Sequence, residues 1–132
     1  MSEGQWVSLC WGTMKRTDPL LVTCALIPAA SLCAFYSYVL RARLALGAWP
    51  RPYRPDPKSL GFEIHHDIVV LLLEAASLSP IAFALCALVH QAVPQLRERR
   101  MGWAVTIFLA SYALWWVGLL LDPGSFHEWF FD

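Results

Sequence analysis

Long unbroken apolar runs, rather than alternation or one-sided stripes, dominate this chain. Leu20–Leu40, Ile68–Val93 and Trp103–Leu121 are each about as long as the roughly 20 residues a helix needs to cross a bilayer. The first and third contain no Asp, Glu, Lys, Arg or His, and the second contains only Glu74 and His90. A water-soluble helix of that length would need a polar stripe facing solvent. Trp103–Leu121 has only Thr106, Ser111 and Tyr112, too few to cover a face. The pattern predicts an all-α membrane protein, a single integral domain over residues 1–132. Its three transmembrane helices would form an up-down-up bundle, with a Pro-rich loop between helices 1 and 2.

Punctuation sets the boundaries. Asp18-Pro19 is a helix start, with Asp as cap and Pro at the first helical position. The spans are predicted at about 19–44, 65–93 and 103–121, with Pro28 kinking the first and Pro80 interrupting the second. The loop, residues 47–61, carries Pro50, Pro52, Pro55 and Pro57 among charged residues. Proline fixes φ and disfavours helix before it. The loop therefore reads as an extended connector, or as a docking strip for a partner. Asp122-Pro123-Gly124 is a turn signal. It opens an aromatic and acidic tail, 122–132, expected at the headgroup level with Trp129 as anchor.

Composition agrees and adds exclusions. Apolar residues make up 58% of the 132-residue chain, against about 45–50% in soluble domains. Ten basic and ten acidic residues cancel, which argues against nucleic-acid binding. The expected location is a membrane, taken as the bacterial plasma (inner) membrane. Three arginines precede the third run and no Lys or Arg follows it, so the positive-inside rule favours a cytoplasmic amino terminus. The first run is too long and starts too late for a cleaved signal peptide. Cys10, Cys24, Cys33 and Cys86 lack metal-type spacing and read as packing residues without a disulfide.

Glu74 is the most informative residue for chemistry. A carboxylate at that depth should face protein or water. With Glu63, Asp67 and Ser77 it falls on one helical stripe. Tyr36, Ser37, Tyr38, Ser111 and Tyr112 are partners by residue type. Glu63-Ile64-His65-His66-Asp67 forms a second cluster. The start of span two and the tail share a membrane side in any three-span arrangement, so His65, His66, Asp67 and His127 are candidate ligands for a divalent metal such as Zn²⁺ or Cu²⁺. Asp122 and Glu128 stand on the same side. No cofactor is otherwise implied, because spans one and three contain no His to face His90 across a haem. Catalytic motifs such as G-x-S-x-G and H-E-x-x-H are missing, which argues against an enzyme.

Helices in lipid associate through close packing and hydrogen bonds, so small residues mark seams. Ala25, Ala29, Cys33 and Ser37 form such a row on span one. Ala75 with Ser79, Ala82 with Cys86, and Thr106, Ala110 and Gly118 offer others. Three helices enclose little volume. The expected function is that of a small, non-enzymatic, multi-pass accessory, assembly or interaction protein. Its partners would be the lipid bilayer and a homo-oligomer or larger membrane complex. The alternative is a proton-, cation- or metal-handling protein built on Glu74 and the His/acid cluster.

Overall fold

A computed structural model describes residues 18–52, 56–93 and 101–131. The amino-terminal lead with Cys10, the Arg97–Arg100 turn and the centre of the Pro-rich loop lie outside these. Four α-helices follow one another: α1 (Pro19–Leu46), α2 (Glu63–Ala92), α3 (Gly102–Leu120) and α4 (Phe126–Phe131), with a 3-10 turn at Pro57–Leu60. No strand occurs among the described residues. The first three helices are long and apolar enough to cross a membrane.

The termini follow from local chemistry. The Asp18 carboxylate accepts the Leu20 N–H at 3.0 Å, capping α1. Gly47, at φ 69°, takes the left-handed conformation that ends α1, two residues past the predicted 44. Gly61, at φ 70°, turns the chain into α2, whose first residue is Glu63, so the helix starts two residues before the predicted 65. Helix α3 shifts by one residue at each end.

Of the two internal prolines Pro28 is buried and Pro80 half-buried, and serines stand close to each. Pro80 has no N–H for the Ala76 carbonyl four residues earlier. The Ser79 hydroxyl donates to that same carbonyl at 2.6 Å, and both residues are buried. A side-chain hydroxyl thus replaces the lost backbone donor, the usual remedy where water is excluded. Near Pro28, Ser31 donates to the Pro28 carbonyl at 2.8 Å. Ser111 of α3 donates to the Ala25 carbonyl of α1, linking the two helices beside the break.

Helix α1 is the common partner: its backbone closely approaches both α2 and α3. Its buried row is Leu21, Ala25, Pro28, Leu32, Phe35, Val39 and Ala42, flanked by Ser31 and Tyr38. These steps alternate between four and three residues. The same alternation gives Val69, Leu73 and Ala76 on α2, and Ala104, Phe108, Ser111 and Trp115 on α3. A mean step of 3.5 is the repeat of left-handed coiled-coil packing. Gly118 continues the α3 row. A Cβ there would stand 2.7 Å from Leu32 Cδ1, so glycine sets how closely α1 and α3 approach.

The small-residue rows of the sequence reading land differently. Ala25 is buried and Ala29 half-buried, whereas Cys33 and Ser37 are exposed, as are Thr106 and Ala110. A strict spacing of four advances about 40° per step on a helix of 3.6 residues per turn. Such a row therefore leaves the contact face within three steps.

The tail gives a clear correction. Trp129, expected as an interfacial anchor, is 0% exposed and is the largest fully buried side chain. Asp122 accepts the His127 N–H at 2.7 Å through Oδ2, and Ser125 turns with φ 51°. Helix α4 is thereby folded back, and Phe126, Trp129 and Phe130 join a core with Phe35, Tyr38, Val69, Leu73 and Trp115. A second core joins Leu21, Ala25, Phe83, Ala104 and Phe108, where Phe83 and Phe108 stack at 4.4 Å. Outside these cores the surface is apolar: Leu71, Leu78, Leu85 and Leu88 on α2, and Leu109, Leu114 and Leu120 on α3, are more than half exposed.

Candidate functional site: the Glu74 groove and the histidine–aromatic cluster

Glu74 lies inside α2 with its side chain exposed. It borders a groove of about 190 Å³ between α2, α3 and α4, together with Ser77, Trp115, Leu119, His127 and Phe131. Ser77 shares the stripe, as the spacing implies. Its hydroxyl donates to the Leu73 carbonyl at 3.0 Å, which leaves its lone pairs as acceptors. Three of the other expected partners are occupied elsewhere. Tyr36 donates to the Gly118 carbonyl at 2.8 Å, Ser37 to the Ala34 carbonyl at 2.7 Å, and Ser111 to Phe108 and Ala25. What reaches the Glu74 groove instead is His127, carried there by the fold-back of α4.

The four candidate metal ligands do not form one ligand cluster. His65 meets the Ser37 hydroxyl through Nε2 at 3.2 Å, and its Nδ1 lies 3.5 Å from the Arg41 guanidinium. That guanidinium also sits 4.0 Å over the Phe62 ring. A permanent cation thus stands where a metal would have to approach His65. His66 stacks on Phe130 with ring centroids 4.4 Å apart. Asp67 is exposed, and His127 lies 4.9 Å from the Phe131 ring. Among the described residues, no group of three or more His, Cys, Asp or Glu could hold a metal ion.

The start of α2 and the tail do meet, and they meet through aromatic rings. Tyr38, 0% exposed, is surrounded by His65 at 5.1 Å, Phe130 at 5.2 Å, His66 at 5.8 Å, Trp129 at 5.9 Å and Phe62 at 6.2 Å. Most of these pairs are edge-to-face, the arrangement that the ring quadrupole favours. The two histidines therefore serve as flat, polar-edged rings in this packing.

Two further features carry no motif in the sequence. A cavity of about 450 Å³ lies where the loop meets the tail, bordered by Trp49, Pro50, Arg51, Pro123, Gly124 and Phe126. Arg43 sits 3.9 Å over the Trp49 ring, and Trp49 lies 5.5 Å from Phe126. A Cβ at Gly124 would collide with the Phe126 ring, so a larger residue at that turn would have to displace the ring. Towards the other end of the bundle, the Cys24 and Cys86 sulfurs lie 3.9 Å apart. His90, one turn beyond Cys86, is 3% exposed, and its Nε2 has no hydrogen-bond partner among the described residues. No known protein-family model matches this chain, and neither a curated protein nor a solved structure matches it.

Proposed function

We propose that this chain is a three-span, up-down-up membrane protein of accessory or assembly type, with a cytoplasmic amino terminus and with the Pro-rich loop and tail together on the other side. It works by contact rather than catalysis, as a homo-oligomer or within a larger membrane complex. The observation that carries this reading is the division of its surfaces. Two cores of buried side chains lie between the helices, α1 is engaged by both neighbours, and the outer faces of α2 and α3 present bulky aliphatic residues. Purification in mild detergent followed by crosslinking should give a higher-order species. A strictly monomeric protein that brings down no partner overturns the reading.

A second reading has its own support. Glu74 and His127 border one groove within an apolar stretch, and an ionisable residue at membrane depth marks an ion or proton path by default. In this reading the groove handles a proton or cation. Proton and cation flux would be measured in proteoliposomes. Glu74→Gln should abolish it, and flux that survives both this change and His127→Ala eliminates the reading.

A further inference from the structure

The Cys24 and Cys86 sulfurs lie 3.9 Å apart across the α1–α2 interface, 62 residues apart in sequence. Both thiols are free and half-buried. They pack against the core of Leu21, Ala25, Phe83, Ala104 and Phe108. Cys33, by contrast, is exposed. The pair also sits near one end of the helices. Cys24 is five residues past the start of α1 and Cys86 six residues before the end of α2, roughly 8–9 Å in at 1.5 Å per residue. The pair therefore lies closer to one end of the two helices than to their middle, the side from which a polar reagent has the shorter path.

We propose that Cys24 and Cys86 form a dithiol–disulfide redox site, oxidised by exchange with a small-molecule disulfide arriving from that membrane face. The chemistry balances without any further reagent. One cysteine, as its thiolate, attacks a sulfur of the disulfide and forms a mixed disulfide, releasing one half as a thiolate. The second cysteine, as its thiolate, then attacks the protein sulfur of that mixed disulfide, closing the Cys24–Cys86 bond and releasing the other half. The two protons lost by the cysteines end on the two released thiols. The protein is oxidised by two electrons and the small disulfide is reduced by two. The product is a covalent staple between α1 and α2. A small dithiol reductant reverses it by the same steps.

Because the second attack is intramolecular, the fold should accelerate closure through effective concentration. The experiment uses the full chain with Cys10→Ser and Cys33→Ser, reconstituted in vesicles and exposed to oxidised glutathione. After quenching with a maleimide, intact mass spectrometry should show loss of two hydrogens, no glutathione adduct and no maleimide. The closure rate should exceed that of the same chain in dodecyl sulfate by at least about tenfold. Cys24→Ser or Cys86→Ser in that background should instead retain one glutathione adduct. Peptide mapping of the unsubstituted chain, where the linked Cys24 and Cys86 peptides should appear, covers the case in which a serine variant misfolds. Two unreacted thiols, or two stable glutathione adducts, in the folded chain overturn the proposal.

Discussion

The two ends of the helix bundle are built differently. At one end, Phe35, Tyr38, Trp115 and Val69 close around Phe126, Trp129 and Phe130 of the short fourth helix. At the other, Leu21, Ala25 and Ala104 surround the stacked Phe83 and Phe108 rings, from which the stack continues through Tyr112, beside two thiols and a buried imidazole. The first end is packed with large rings, with a groove and a cavity at its margins. The second combines a few rings with small and polarizable groups, beside a histidine nitrogen with no partner among the described residues. Dense ring packing and the paired thiols thus lie towards opposite ends of the same helices.

Substitutions can break this contrast. Trp129→Ala should have the largest effect, about 3–5 kcal/mol, read as a lowered unfolding midpoint in detergent. Phe83→Ala at the other end should cost less, because lipid can enter the space. An equal cost for the two would erase the distinction between the ends. Gly118→Val should follow, at about 1–3 kcal/mol, since the added methyls meet Leu32; crosslinking between α1 and α3 would report their separation. Ser79→Ala leaves the Ala76 carbonyl without a donor in an apolar setting and should cost about 1–2 kcal/mol, visible as faster amide exchange around Pro80. Ser111→Ala removes one interhelical bond and should be the smallest, about 0.6 kcal/mol. A Ser111→Ala cost as large as that of Trp129→Ala would mean that polar links, not ring packing, hold α3.

Hydropathy made the three long helices legible to within two residues, because a polar group in a lipid-length run is costly and so the runs are clean. The inward face was not legible from hydropathy at all. Leu78 and Leu85 point outward while Ala76 and Phe83 point inward, and all are apolar, so no stripe appears. The signal that distinguishes the faces is the alternating four-and-three spacing of small and aromatic residues. A search restricted to spacing four finds Ala25 and then runs off to Cys33 and Ser37. Glu74 and Ser77 were readable as one stripe because both lie on one helix. Their companion His127 depends on a turn at Asp122–Ser125, and the cysteine pair depends on the register of α1 against α2; neither is encoded within a single segment. The aromatic tail looked like a membrane-surface anchor because its six-residue helix has too little length to show a pattern of its own.

The position of α1 between its two neighbours has a consequence for any substitution on it. Leu32 touches the α3 glycine and also belongs to the core that includes α2 residues. A rotation that relieved strain on one side would impose it on the other. The outer helices thereby communicate through a shared shaft, and a perturbation that tightens one seam, such as a covalent link from Cys24, will be felt along the other without the outer helices needing close backbone contact.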